Sequence, residues 1–304
     1  MSNKLTGVFA PVVTPFNADL SPNFGLYLRH CQWLLQQGAG LAVFGTNSEA
    51  NSLTLTERMG LLDQLAQHGI DAGRMLPGTG CCTIQDTVEL SRHATVHGCA
   101  GVLMVPPFYY KGITEDGLFS YYSEVIERVA LQDLRVYLYH IPAFSGVPVS
   151  LGLIERLIKR YPQQVVGIKD SSGDWQNMED MLKNFPDFSI FPASESFLTR
   201  AMPLGASGCI SATINVNPAA ISRLCANWQA EDALVQQQKL DVVRKIFQTY
   251  PMIAALKFAI SYYGDRPGWQ IIRPPLSALG ADKKSALITE LDAAGFSMPS
   301  LLEA

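Results

Sequence analysis

The chain is poor in several features that mark whole classes of protein. It has no run of about 18 uncharged apolar residues, so a membrane-spanning helix is not expected. Residues Met1-Ser2-Asn3-Lys4 lack the charged-then-apolar pattern of a secretory leader. The six cysteines form no CxxC pair and the five histidines no HExxH motif, which argues against a structural zinc site. A reduced, cytoplasmic protein with no metal and no cofactor is the expectation. There is no excess of positive charge. The net charge of −4 argues against a nucleic-acid surface but not against a small anionic substrate. No GxGxxG follows the first apolar run, which weakens a dinucleotide-binding open sheet. No low-complexity linker divides the 304 residues.

What is present is alternation. Short apolar runs, rich in β-branched residues, fall at 8–13, 41–44, 75–78, 102–105, 135–139, 165–169, 188–191 and 209–211. Apolar on both faces, they read as buried parallel strands. Between them lie amphipathic stretches. Phe24, Tyr27/Leu28, Cys31 and Leu34/Leu35 recur at helical spacing, as do Met59, Leu62 and Leu65. Thr54 with Glu57 fits a capping box, and Ser150 stands at a helix start. Small-residue turns such as Gly38-Ala39-Gly40 and Gly98-Cys99-Ala100-Gly101 feed strands. Eight strand-helix units are the count of an α/β (β/α)₈ TIM barrel, expected over residues 1–216. From 217 to 304 the pattern turns to helices alone, at 219–228, 230–249 and 252–262. This predicts a C-terminal helical extension.

Chemistry in such a barrel gathers at the carboxyl ends of the strands. Strand two ends at Gly45-Thr46-Asn47-Ser48-Glu49, strand four at Pro106-Pro107-Phe108-Tyr109-Tyr110, strand five at Tyr139-His140-Ile141-Pro142, and strand six at Lys169-Asp170-Ser171. Lys169 follows a run that should be buried. Desolvation would favour its neutral amine, the form that attacks a carbonyl. A structural lysine paired with Asp170 is the equal alternative. Tyr139 ends the neighbouring strand, near enough to meet Lys169 and shuttle protons, or else merely to cap the barrel. Thr46 and Asn47 could hold a carboxylate or simply form a turn. Lys257, on an apolar helix, reads as a snorkelling or paired structural lysine. His140 reads as a satisfied structural histidine, and Asp170 and Asp174 as helix caps.

These residues together resemble the dihydrodipicolinate synthase/N-acetylneuraminate lyase superfamily, over nearly the whole chain from Gly7-Val8-Phe9-Ala10-Pro11 to Arg273-Pro274-Pro275-Leu276. The resemblance implies a Schiff-base lyase or aldolase acting on pyruvate or another 2-oxo acid, metal-independent, and assembled as a homotetramer of two dimers. Lys169 matches the family's imine-forming lysine, and Tyr139 its proton-relay tyrosine. Thr46, Asn47 and Ser48 match the carboxylate-binding loop. Tyr109, with Tyr110 as fallback, matches the second relay tyrosine that reaches across a dimer interface. Ala193 and Ile210 fall where the family lines the pocket with backbone groups. Phe144 stands where the biosynthetic synthase carries an arginine for its second substrate's carboxylate, so a guanidinium fork is replaced by an apolar ring. Asn47, Ser171 and the Tyr109-Tyr110-Lys111-Gly112 segment look more like the 4-hydroxy-2-oxoglutarate aldolase branch. The alternatives are 4-hydroxy-tetrahydrodipicolinate synthase, joining pyruvate to aspartate semialdehyde, and a non-catalytic barrel that only binds a 2-oxo acid.

Overall fold

The computed structural model describes residues 4–303. Seven strands form two parallel arcs. In one, β1 (Gly7–Ala10) lies between β2 (Gly40–Leu41) and β7 (Gly208–Cys209). In the other, β3 (Val102–Met104), β4 (Val136–His140), β5 (Val165–Asp170) and β6 (Ser189–Pro192) run in order. Two links close the arcs into a barrel. Segment 75–78 bridges them on one side, pairing Met75 with Leu41 and Gly78 with Leu103, both parallel. On the other side the Ser207 N–H donates to Ile190 O (2.9 Å) and the Ile210 N–H to Pro192 O (3.0 Å). The result is the expected eight-stave TIM barrel.

The ladders are shorter than the apolar runs, for local reasons. β1 stops before Pro11, which has no N–H to donate. In the run 41–44 the Ala42 N–H still donates to Ala10 O and Val43 O accepts from the Gly78 N–H, but Phe44 takes a left-handed backbone (φ 59°) and turns the chain out of the sheet. Gly78 is glycine for a related reason: a Cβ there would meet the Phe44 carbonyl oxygen at 2.1 Å.

Inside the barrel, Phe9, Ala42, Leu76, Leu103, Tyr137, Phe191 and Ile210 form one apolar layer. Seven staves each supply a side chain and β5 supplies Gly167. A Cβ on Gly167 would lie 2.4 Å from the Tyr137 ring, so the glycine leaves room for that ring. Side chains alternate along a strand. Tyr137 and Gly167 face inward and pair in register, so Tyr139 and Lys169, two residues on and also paired, face inward one layer higher. Asp170 points to the opposite face.

The outer ring includes α1 (Phe24–Gln36), α2 (Leu55–Gln67), α3 (Ile84–Val96), α4 (Glu115–Val129), the short α5 (Pro142–Ser145), α6 (Leu151–Arg160), α7 (Trp175–Asn184) and the single turn α8 (Leu198–Ala201). The predicted caps form. Thr54 and Glu57 make the reciprocal capping box of α2, and the Ser150 hydroxyl accepts from the Leu153 N–H at the start of α6. After the eighth stave, α9 (Pro218–Ala226) packs on β1. Then α10 (Ala233–Gln248), α11 (Met252–Tyr263) and α12 (Ala281–Ala293) pack on one another. The sequence pattern did not mark α12. Its apolar positions are sparse, and only Leu287 and Leu291 are buried. Among the described residues no helix is long and apolar enough to cross a membrane.

Candidate active site

At the carboxyl ends of the strands, three side chains meet. The Lys169 ammonium donates to the Tyr139 hydroxyl (3.2 Å), which lies 3.3 Å from the Thr46 hydroxyl. Lys169 is 4% exposed and Tyr139 5%. The ammonium also sits 4.3 Å from the centre of the Tyr139 ring. Among the described residues no carboxylate lies within ion-pair distance of Lys169. The pairing with Asp170 does not form. Asp170 is buried on the other face of β5, where one oxygen accepts from the Ser172 N–H and the other from the Asn177 amide. Asp170 is therefore not a helix cap, whereas Asp174 caps α7 as expected.

Burial pushes the Tyr139 phenol up. The Lys169 charge, aided by hydrogen bonds from Thr46, Lys169 and Ser171, outweighs that and holds it below the ordinary tyrosine value. A phenol so placed can give and take a proton beside an amine. His140 is structural: its Nδ1 accepts from the Val149 N–H, and burial lowers its pKa against the opposing Asp170 charge.

The Thr46 loop is a single 3₁₀ turn (Thr46–Ser48) between two left-handed residues, Phe44 and Glu49. Its first hydrogen bond runs from the Ser48 N–H to Gly45 O, so the N–H groups of Thr46 and Asn47 precede the bonded part of the turn. Thr46 and Asn47 are half-buried. Ser48 is fully buried, and its hydroxyl accepts from the Gly45 N–H (3.1 Å). That side chain braces the loop from inside and does not line the neighbouring cavity. Glu49 anchors the loop to the helical extension: it pairs with Lys257 of α11 at 2.8 Å, both side chains fully buried, and accepts from the Arg273 N–H.

A cavity of about 240 Å³ is lined by Thr46 and Tyr139 of this trio, and Lys169 touches it only through the Tyr139 hydroxyl. Thr46 and Tyr139 contribute its polar wall, and Phe44, Leu103, Val105, Phe108 and Phe144 much of its apolar one. A larger hollow of 1280 Å³, lined by Leu5, Arg135, Tyr137 and Phe188, lies at the amino ends of the strands. It is remote from the lysine, and we place the chemistry at the smaller cavity because Tyr139, the hydrogen-bond partner of Lys169, lines it at the carboxyl ends of the strands.

The remaining predicted residues fall as follows. Ser171 is half-buried beside Tyr139, its N–H donating to His140 O. Ala193 follows Phe191 on the inward face of its stave, and its N–H donates to Asp170 O. The Ile210 side chain lies in the apolar layer beneath the mouth, not in the cavity wall. Phe144 is 75% exposed and forms the cavity rim. Tyr109 and Tyr110 pack edge to face at 5.4 Å but are 75% and 70% exposed, and neither reaches the trio within one chain. Arg58 of α2 went unnoticed in the sequence. It lines the cavity, buried, and donates to Ala50 O (2.7 and 3.2 Å) and toward Cys81 Sγ (3.7 Å). Its only sequence signal is an unusual cation in the first turn of a helix.

Comparison with known proteins agrees with this geometry. Residues 4–294 match the model of the dihydrodipicolinate synthetase family. A DapA-like lyase, itself uncharacterized, from Chloroflexus aurantiacus is 32% identical over 284 residues, covering 92% of this chain and 94% of the relative. The crystal structure of dihydrodipicolinate synthase from Agrobacterium tumefaciens superimposes with a TM-score of 0.88 at 28% identity, covering 95% of this chain and 99% of that one. YagE, a prophage protein of the same family from E. coli K12 solved in complex with pyruvate, gives 0.86 at 27% identity, covering 96% and 99%. With the inward lysine and tyrosine at the mouth of an eight-stave barrel, these matches establish that the chain belongs to the dihydrodipicolinate synthetase family and is a lyase of that family.

Proposed function

We propose that Lys169 is the nucleophile of a Schiff-base lyase that cleaves a 4-hydroxy-2-oxo acid into pyruvate and an aldehyde, or runs the reverse condensation. The observation that carries this reading is the buried Lys169 ammonium hydrogen-bonded to a phenol and to no carboxylate. The phenol beside the amine is an acid–base partner within hydrogen-bond reach, which is what addition of the free amine to a ketone needs.

The chemistry is that of an electron sink. The amine adds to C2 of the oxo acid to give a carbinolamine, which loses water to become an iminium. Tyr139 shuttles the protons of both steps, with Thr46 orienting its hydroxyl. The C3–C4 bond then breaks, its electron pair moving into the iminium to leave an enamine, while the C4 hydroxyl loses its proton and becomes the aldehyde carbonyl. Protonation of C3 and hydrolysis release pyruvate and restore Lys169. The N–H groups of Thr46 and Asn47 are positioned to take the substrate carboxylate, as anions are held at the start of a helical turn. Ser171 is a substrate contact, and Ala193 shapes the inner wall.

Phe144 at the rim supports the catabolic reading, since it offers no charge to a second carboxylate at that point. The biosynthetic reading, joining pyruvate to aspartate semialdehyde, is kept as the second. It is supported by relatives of that name, such as the Rhizobium meliloti 4-hydroxy-tetrahydrodipicolinate synthase at 29% identity. Coupled assays separate the two. Pyruvate release from 4-hydroxy-2-oxoglutarate, unaffected by EDTA, is expected, and turnover of pyruvate with aspartate semialdehyde is not. Activity only in the second assay reverses the assignment, and activity in neither favours a barrel that merely binds 2-oxo acids. The reading also includes a homotetramer, in which the exposed Tyr109 of one subunit completes the relay of another. Cytoplasmic residence is part of it too, in keeping with six unpaired cysteines.

A further inference from the structure

We propose that Asp63, His93 and His97 form a divalent transition-metal site that joins α2 to α3 on the outside of the barrel, separate from the Lys169 chemistry. His93 and His97 stand one turn apart at the end of α3, and Asp63 faces them from α2. Each histidine places its Nε2 2.8 Å from the same carboxylate oxygen, Oδ1 of Asp63. The two rings are 4.6 Å apart at 67°. One ligand atom from each residue lies within 4.8 Å of the others.

Without a metal, the two Nε2–H groups share the two lone pairs of Oδ1, an ordinary hydrogen-bonded triad. The same three atoms, one from each residue, are also a ligand set: a cation between them takes one lone pair from each of the two neutral imidazoles and one from the carboxylate. Bonds of about 2.0–2.1 Å from a tetrahedral ion need the ligand atoms about 3.3 Å apart, so each ring withdraws by about half an ångström. The set is two imidazoles, one carboxylate and a position open to water. It suits Zn²⁺, Co²⁺, Ni²⁺ or Cu²⁺ and not Mg²⁺ or Ca²⁺, which take oxygen ligands. The last turn of α3 also carries the partial negative charge of a helix C-terminus, which favours a cation. None of the three residues lines the cavity at Thr46 and Tyr139, so the site's role is to staple two neighbouring helices.

The test is titration of the full chain with Co²⁺ and with Zn²⁺. One metal per chain is expected, with tetrahedral Co²⁺ bands and no thiolate charge-transfer band. The melting temperature should rise with Zn²⁺ concentration, because the ion binds only the folded state. His93→Asn and His97→Asn should each weaken binding by more than about tenfold and remove that rise, while Cys82→Ser changes neither. Absence of stoichiometric binding at micromolar metal overturns the proposal. So does binding that survives the His93→Asn/His97→Asn double variant, or a thiolate band that disappears with Cys82→Ser. Since pyruvate release is expected to be indifferent to EDTA, failure here leaves the reading of Lys169 standing, and the converse holds.

Discussion

Lys169 and Lys257 are both buried ammonium groups, one at the barrel mouth and one on the helical extension, and they are held differently. Lys257 is paired with Glu49 at 2.8 Å, with both side chains out of solvent. Burial lowers its pKa and the Glu49 charge opposes the change. Lys169 meets a phenol at 3.2 Å and, among the described residues, no carboxylate. A buried lysine paired with an anion is a strut, and here it ties α11 to the loop that carries Thr46. A buried lysine beside a phenol has a proton-transfer partner in place of an ion pair. The two are connected, because the strut holds the loop whose Thr46 hydroxyl lies 3.3 Å from the phenol beside Lys169. Burial is common to both lysines, so the difference between them is the chemistry of the partner.

Substitutions can break this contrast, and the largest effect belongs to Lys169. Lys169→Ala should bring turnover to background while leaving the melting temperature close to that of the wild type. An active Lys169→Ala enzyme contradicts the assignment. Lys257→Met should do the reverse in kind. Stranding the buried Glu49 charge costs about 3–5 kcal/mol of stability, measurable by urea unfolding, and Glu49→Gln in the same chain should recover much of it. If Lys257→Met is as stable as the wild type, the strut is not one. Tyr139→Phe should slow turnover by about 10²–10⁴-fold, the range of general acid–base catalysis, while leaving some imine formation.

The smallest expected effect is the most diagnostic of geometry. Thr46→Val removes one hydrogen bond to the phenol, worth about 0.5–1.5 kcal/mol, so turnover should fall by roughly tenfold at most. The Tyr139 phenol is held below its usual value, so the wild-type rate profile should carry an alkaline limb below about pH 10. The Thr46 bond favours the phenolate. Its loss must therefore raise the Tyr139 pKa and move that limb to higher pH, and Tyr139→Phe should abolish it. A limb that stays in place in both variants belongs to another group.

Much of this was legible in the sequence because it is periodic. Eight apolar runs at regular spacing encode a barrel, and two-residue alternation carries the inward face from Tyr137 and Gly167 to Tyr139 and Lys169. Pairing across long sequence distance was not legible. Nothing near Glu49 announces Lys257, 208 residues away, so that lysine could be read as snorkelling or paired but its partner could not be named. Arg58 was hidden because its acceptors are a backbone carbonyl and a thiol, which leave no charge pattern. The expected boundary at 216 falls just ahead of α9, a helix that resembles the tail in sequence yet packs on β1. Ile210 is expected at the pocket through its backbone groups, and its inward register puts its side chain in the apolar layer one step below the mouth.

The central claim is that the phenol-paired lysine, and not the carboxylate-paired one, forms the imine. Reduction of the enzyme with borohydride in the presence of pyruvate, followed by peptide mass analysis, tests it directly. The account predicts one adduct per chain, on Lys169, retained in Lys257→Met. An adduct on Lys257, or none at pyruvate concentrations that saturate binding, would contradict it.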